Sequence, residues 1–209
     1  MTGHRYTRVD LQEAVTEDNS ALVRTILEEG TVNINELGDN KDTVLHYAAR
    51  EGHTDIVREL CSVEGVDVNI LNNEGWTALH YAVTGKHTDI VRVLCKKEGV
   101  KVNLQNQVGM TALQIAVRGG RTDIVRELCS VEGVDDTLYD AAEEGHADIV
   151  QALCSIKGVK VNRLNQDGRT ALQIAARKGH TDTVRVLCSS KRLEVNKQDS
   201  NTPCCYERK

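Results

Sequence analysis

Apolar positions recur along this chain as pairs of short helical stripes, separated by polar segments that contain glycine. One pair begins after Thr77, a candidate N-cap, with an apolar stripe at i, i+3 and i+4 that consists of Leu79, Ala82 and Val83. A break at residues 85–87 precedes the second stripe, which consists of Ile90, Val91, Leu94 and Cys95. A helix pair of this size cannot bury its apolar stripes alone. The pattern therefore predicts helix pairs that stack on copies of themselves.

The helix pairs follow one another with a fixed period. Equivalent leucines recur every 34 residues, first as Leu45, Leu79 and Leu113 and later as Leu138 and Leu172. The step between Leu128 and Leu153 is only 25 residues, so nine residues are missing before the fifth unit. We expect six units, whose first helices begin near Asp10, Thr43, Thr77, Thr111, Asp136 and Thr170.

The first helix begins with the same motif in four of the units. The motif is TVLHYAA at 43–49, TALHYAV at 77–83, TALQIAV at 111–117 and TALQIAA at 170–176. A second motif, GHTDIV at 52–57, starts the second helix, and VDVN follows at 66–69. These segments resemble the T-P-L-H-x-A-A signature, the second-helix start and the hairpin ending of the ankyrin repeat. The resemblance covers about residues 10–199.

The resemblance implies an all-α fold in which each repeat has two antiparallel helices and a short β-hairpin finger, stacked into an α-solenoid. We expect one domain over residues 1–199 and a C-terminal tail over 200–209. Its repeats would cover about 10–40, 41–74, 75–108, 109–135, 136–166 and 167–199. The missing residues correspond to the finger before the fifth repeat, so we expect a notch or a change in curvature there, with Glu143 and Glu144 uncovered.

Composition and charge narrow the classes of function. No apolar run approaches the roughly 18 residues of a membrane span, and the N-terminus lacks the apolar core of a secretory signal. A formal net charge of −5 gives no reason to expect a nucleic-acid partner. The chain has no Phe, so its core must consist of small aliphatic side chains and cysteine. We expect an intracellular protein, cytoplasmic or nuclear, that is a monomer.

The cysteines suggest structural rather than chemical roles. Five of them follow the second-helix leucine in successive repeats: Cys61, Cys95, Cys129, Cys154 and Cys188. Stacked helices lie roughly 8–10 Å apart, too far for a disulfide. We therefore expect buried, reduced thiols, which are typical of intracellular proteins. Cys204 and Cys205 belong to the tail, where an exposed reactive or modified pair is the alternative.

The histidines also repeat in rows, as His46 and His80 illustrate. Rows do not converge on one point as the ligands of a zinc ion must. The resemblance implies instead that these histidines form hydrogen bonds within and between repeats, a role that the amides of Gln114 and Gln173 can replace. No nucleophile and base stand out from the pattern. We expect no metal, no cofactor and no enzymatic activity.

In the ankyrin repeat family, hairpin tips and first helices form a concave face that binds protein partners. The resemblance implies such a partner here, at Asp42, Arg50, Glu51, Leu71, Asn73, Glu74, Trp76, Val108, Met110, Arg118, Glu143, Glu144, Arg169, Arg177 and Lys178. Trp76 is the only tryptophan and is the expected anchor. The alternative is that Trp76 packs only against its own finger.

Three further hypotheses stay open at this point. One is a regulatory or microbial effector protein that inhibits a host enzyme or signalling complex by occupying it. Another is an enzyme that uses the Cys and His rows. The third concerns modification, since hairpin asparagines of this family are hydroxylated in animals and Asn69 and Asn103 occupy similar positions.

Overall fold

The computed structural model of the protein describes residues 6–129, 137–156 and 159–190. Within these ranges it forms 12 α-helices and one short 3₁₀ helix, Asp39–Lys41. The α-helices are α1 Arg8–Thr16, α2 Ser20–Glu29, α3 Val44–Glu51, α4 Thr54–Ser62, α5 Ala78–Thr84, α6 Thr88–Cys95, α7 Ala112–Arg118, α8 Thr122–Leu128, α9 Thr137–Glu144, α10 Ala147–Ser155, α11 Ala171–Lys178 and α12 Thr181–Ser189. The predicted all-α class and the pairing of helices are confirmed.

The chain divides into an N-terminal unit that ends at Ala116 and a C-terminal unit that begins at Val117. In the N-terminal unit, first helices pack on first helices (α1, α3, α5) and second helices on second helices (α2, α4, α6). In the C-terminal unit, α9 packs on α11, and α10 packs on α8 and α12. Each unit thus buries its apolar stripes by stacking like helix on like helix. The boundaries of the single domain stay a prediction.

Threonine caps start the first helices, as the Thr77 pattern predicts. The Thr77 hydroxyl accepts a hydrogen bond from the His80 amide, three residues into α5. α1 begins at Arg8, two residues earlier than expected, because Thr7 is its N-cap. The Asp10 carboxylate accepts a bond from the Thr7 amide at 2.7 Å, so Asp10 completes a capping box rather than starting the helix.

Both helices of each repeat contribute to the core, and one column of it is made of side chains on the second helices. In the N-terminal unit Ile56 and Ile90 are fully buried, and in the C-terminal unit so is Ile149. Thr183 occupies the same column in the last repeat and is also fully buried. Its hydroxyl has no hydrogen-bond partner within the described ranges. The final repeat therefore carries a polar defect in its core.

The cysteines are less uniform than the sequence predicts. All five within the described ranges are free thiols, but only Cys61 is buried, and Cys188 is exposed. Burial raises the pKa of Cys61 to about 11, with a small opposing effect of Lys97, and raises that of Cys129 to about 11 as well. The exposure of the repeated cysteine therefore differs from one repeat to the next.

Two predictions lie outside the described residues. The missing finger before the fifth repeat falls on residues 130–136, and the tail with Cys204 and Cys205 falls on 191–209. Among residues 6–129, 137–156 and 159–190, no helix has the length and apolar content that a membrane span requires.

Candidate functional site

Tight turns, rather than β-strands, form the finger tips. The Asn72 amide donates to the Trp76 carbonyl at 2.9 Å, and the Asn72 side-chain oxygen accepts from the amides of Glu74 and Trp76. Asn106 and Asn165 close their turns in the same way. In the described part of the chain, the β-structure is a single isolated bridge between Gln105 and Thr111. The asparagines thus bring each finger tip back to the start of its first helix.

The signature histidines join each first helix to the next finger. His46 Nδ1 accepts from the Thr43 amide at 3.1 Å, so the ring proton is on Nε2. His46 Nε2 then donates to the carbonyls of Ile70 and Trp76, both at 3.1 Å. His80 Nε2 donates to the Met110 carbonyl at 3.2 Å. The predicted hydrogen bonding of these histidines within and between repeats is confirmed.

Burial favours the neutral form of both rings. Desolvation lowers the pKa of His46, an effect that the nearby Asp42 carboxylate partly offsets. Desolvation lowers the pKa of His80 as well. Gln114 and Gln173 perform the capping part of the role, since their side-chain oxygens accept from the amides of Thr111 and Thr170. Within the described ranges, no three His, Cys, Asp or Glu side chains come together as metal ligands would.

Three of the six aromatic residues in the chain lie on or just before α3 and α5, first helices of the N-terminal unit. The sequence has five tyrosines, one tryptophan and no phenylalanine. The Trp76 and Tyr81 rings lie 5.1 Å apart, centroid to centroid. The Arg50 guanidinium lies over the Tyr47 ring at 4.9 Å and near the Tyr81 ring at 5.8 Å. We call Tyr47, Arg50, Trp76 and Tyr81 the aromatic patch.

Two buried polar side chains, Asn72 and Asp42, support the aromatic patch. The Asn72 side-chain amide donates to Asp42 Oδ1 and to the Tyr81 hydroxyl, both at 2.9 Å. The sequence predicts Asp42 as an exposed contact, but Asp42 is only 3% exposed. Its carboxylate can be buried because it accepts the bond from Asn72 and faces the Arg50 guanidinium. Burial raises the pKa of Tyr81, and Asp42 adds to that effect. Asp42 is therefore a supporting residue of the patch.

Trp76 is half-buried and combines the two roles that the sequence leaves open. One part of its ring packs on Tyr81 and His80 within its own repeat. The remainder is accessible to solvent. Such a ring is held in place by its neighbours and still offers apolar surface.

Apolar and polar finger tips border the patch. Leu71 is 40% exposed and Val108 is 76% exposed, while Asn73 and Glu74 are exposed and Met110 is half-buried. Main-chain hydrogen bonds join the tips of neighbouring fingers, from the Asn73 amide to Asn40 and from the Gln107 amide to Glu74. The tips therefore form one continuous edge beside the aromatic patch.

The corresponding face of the C-terminal unit is charged. Glu143 and Lys178 form an ion pair at 2.9 Å, with side chains 50% and 42% exposed. The ion pair lowers the pKa of Glu143. The other predicted contacts of this unit that are exposed are Arg118, Glu144 and Arg177, and Arg169 is half-buried. Asp140 and Ile174 stand where the N-terminal unit has its tyrosines.

The hairpin asparagines have a role that sequence analysis missed. The Asn69 side chain donates to the Gly99 carbonyl at 2.9 Å and accepts from the Lys101 amide at 2.7 Å. Asn35 forms the same two bonds with Gly65 and Asp67. The 34-residue spacing was the available signal for a bridge to the next repeat. Asn103 is exposed, and modification at Asn69 or Asn103 stays a prediction.

Comparisons with known proteins agree with this architecture. A family model described as "Ankyrin repeats (3 copies)" matches residues 11–106, 98–163 and 133–199. No curated protein matches the chain. Among solved structures, the ankyrin repeat domain of Bcl-3, described as a unique member of the IkappaB protein family, is 26% identical with a TM-score of 0.77, covering 87% of this chain and 86% of that one. An ankyrin repeat domain from Acinetobacter baumannii AYE is 26% identical with a TM-score of 0.75, covering 86% and 96%. The human ASB11 ankyrin repeat domain is 25% identical with a TM-score of 0.69, covering 91% and 86%.

Proposed function

Because this chain belongs to the ankyrin repeat family, we propose that it is a non-enzymatic binding module whose protein partner docks on the aromatic patch and the finger tips beside it. The aromatic patch carries this proposal. Tryptophan, tyrosine and arginine are the residues that most often dominate the binding energy of protein interfaces. Here all three lie together in a chain whose aromatic content is only 3%.

The support beneath the patch favours binding. Asn72 is buried and uses its side chain for four hydrogen bonds, two that close the turn and two that hold Asp42 and Tyr81. The Tyr81 ring and the Trp76 main chain are therefore held in position in the free protein. Little conformational entropy remains to be lost when a partner arrives, which favours affinity.

The remaining predicted contacts contribute weaker interactions. In the N-terminal unit Glu51, Leu71, Asn73, Glu74, Val108 and Met110 surround the patch. In the C-terminal unit we propose Arg118, Glu143, Glu144, Arg169, Arg177 and Lys178 as a separate charged surface. Exposed charges contribute little to affinity and mainly affect association rate and specificity. Free thiols at all five described cysteines support a reducing, intracellular environment, and we propose a cytoplasmic location.

The test is a comparison of two substitutions at equivalent finger positions, Trp76→Ala and Arg169→Ala. The wild-type chain and both variants are immobilised, and the proteins captured from a cell lysate are quantified. Candidate partners are those captured by the wild type and by Arg169→Ala but lost with Trp76→Ala. With a purified partner, we expect Trp76→Ala to weaken binding by about 30-fold, the loss typical of an interface anchor. Circular dichroism and urea unfolding verify that each variant is folded. A folded Trp76→Ala protein with unchanged affinity would contradict the proposal.

A further inference from the structure

We propose that the partner presents an arginine or lysine side chain to the aromatic patch, and that this side chain takes the place that Arg50 occupies over Tyr47 and Tyr81. The partner segment is therefore basic at its centre and apolar beside it. This inference rests on the proposed function and specifies the chemistry of the partner.

The aromatic patch already holds a cation, the side chain of Arg50. The Arg50 guanidinium lies 4.9 Å from the Tyr47 ring and 5.8 Å from the Tyr81 ring, within the range of cation–π attraction. The buried Asp42 carboxylate lies 3.9 Å from Arg50 Nη1. Two ring faces and a buried carboxylate are the elements that recognise a guanidinium or an ammonium group.

Arg50 is partly exposed to solvent. It stands in the last turn of α3, and its side chain is 41% exposed. Its Nε donates to Glu51 Oε1 at 3.1 Å, and Glu51 is itself 46% exposed. Arg50 and Glu51 are able to turn toward solvent as a pair, so Arg50 keeps a counter-charge when it leaves the rings. In contrast, Asp42 is fixed by Asn72.

The segments that carry the patch have a net negative charge. The first finger with α3, and the second finger with α5, span residues 38–51 and 72–84. Their acidic residues are Asp39, Asp42, Glu51 and Glu74, and their basic residues are Lys41 and Arg50, so that four negative charges face two positive ones. The pKa of Arg50 reflects this environment: burial lowers it, but Glu51 and Asp42 outweigh that effect and raise it. An incoming cation is attracted to such a surface, and an incoming carboxylate is repelled.

Exposed apolar side chains lie on the fingers beside the patch. Leu71 and Val108 are among the few large apolar side chains that are exposed in the described residues, and both lie on the fingers that border the patch. A segment whose basic side chain enters the patch places its neighbours against them. We therefore expect apolar residues on either side of the arginine or lysine.

The test uses Trp76, the only tryptophan, as a fluorescent reporter in the full chain. Short synthetic peptides with a central Arg flanked by leucines are compared with otherwise identical peptides that carry Lys, Gln or Glu at the centre. They are titrated into the Arg50→Ala variant, in which the place over the rings is vacant, and into the wild type. We expect Arg50→Ala to bind the Arg peptide about tenfold more tightly than the Gln peptide, and the Glu peptide least of all. We expect the wild type to bind the Arg peptide more weakly than Arg50→Ala does, because Arg50 competes.

A matched variant identifies the source of the preference. Asp42→Asn retains the shape of the side chain and an oxygen for Asn72, but removes the charge. In the double variant Arg50→Ala/Asp42→Asn we expect the Arg peptide to lose most of its advantage over the Gln peptide. Equal affinity of the Arg and Gln peptides for Arg50→Ala would overturn the inference.

The same variants separate this inference from the proposed function. If a captured partner loses affinity on Trp76→Ala and also on Arg50→Ala, the patch binds a partner but Arg50 itself contacts an acidic group, and only the inference fails. If the partner binds Arg50→Ala more tightly than wild type and Trp76→Ala more weakly, both are supported. If neither substitution changes the partner's affinity, while the Arg peptide still shows its preference, the cation site stands and the proposed function fails.

Discussion

The finger turns of the two units are built alike, but they differ in what lies beneath them. Asn72 in the N-terminal unit closes its turn and also holds Asp42 and Tyr81. Asn165 in the C-terminal unit closes its turn through the amides of Asp167 and Arg169. Asn165 thus supports a turn, and Asn72 supports a turn together with the aromatic patch.

The first helices show the same contrast. Tyr47 and Tyr81 belong to the aromatic patch. In the C-terminal unit, Asp140 and Ile174 occupy the equivalent positions. Capping threonines and turn asparagines recur in both units and maintain the backbone. Variation at the positions between them gives one unit an aromatic face and the other a charged face.

The largest expected loss of stability follows from substitution of the turn asparagine Asn72, compared with the same substitution of Asn165. We expect Asn72→Ala to lower the free energy of unfolding by about 3 kcal/mol, because the buried Asp42 carboxylate loses a donor as the turn loses its closure. Asn165→Ala should cost about 1 kcal/mol, since only turn bonds are lost. Urea unfolding of the two variants measures the difference. Equal losses would mean that Asn72 has no supporting role beyond its turn.

The next effect concerns the core of the C-terminal unit. Thr183→Val replaces a buried, unpaired hydroxyl with a methyl group of similar size. We expect the free energy of unfolding to rise by about 1 kcal/mol or somewhat more. Ile149→Thr is the comparison in the opposite direction: it introduces an unpaired hydroxyl one repeat earlier and also removes a methyl group, so it should destabilise the protein. A destabilised Thr183→Val variant would show that the hydroxyl is needed.

A smaller loss of stability is expected when the pH is lowered, because a histidine that caps a first helix becomes protonated. The folded pKa of His46 lies below its ordinary value of about 6.5, because burial disfavours the charged ring. The unfolded chain therefore binds more protons as the pH falls below that value, so stability is retained above about pH 7 and lost toward pH 5. We expect His46→Gln to reduce this loss, since Gln173 caps α11 in the same way without titrating. Urea midpoints measured from pH 7 to pH 5 test this, with Gln173→Ala as the non-titrating control. A variant with undiminished acid sensitivity would place the effect elsewhere.

The smallest effect should come from the charged face of the C-terminal unit. Lys178→Ala removes the ion pair with Glu143, but both side chains are largely exposed. We expect a loss of a few tenths of a kcal/mol, which diminishes further in high salt. Thermal unfolding at low and high salt measures it. A loss above about 1 kcal/mol would show that this face is more tightly structured than its exposure indicates.

Much of the fold could be predicted because it depends on local pattern. Thr77 before an apolar stripe predicts the start of α5, and the 34-residue period predicts the helix pairs. The start of α1 was less predictable, since its capping box uses Thr7 and Asp10 in place of the repeated threonine and histidine. Local chemistry specifies where a helix begins, but the first repeat has a different capping box from the repeated one.

The site was harder to predict. Trp76 and Arg50 were among the predicted contacts, but Tyr47 and Tyr81 were absent because they belong to the repeated helix motif. Asp42 was expected on the exposed surface and is buried, since the next finger supplies its partner Asn72. Contacts between residues 30 positions apart do not appear in a local pattern.

The sequence by itself determined the repeat, the helices and their caps, because each depends on residues within a few positions of one another. Only the tertiary structure decided which side chains meet across repeats. Stacking brings Asp42 to Asn72 and Arg50 to Tyr81, so that the first helix of one repeat and the finger of the next form one surface. Asp42 is buried and supports the aromatic patch, whereas Trp76 stays partly accessible. The exposure of each side chain depends on what the neighbouring repeat covers.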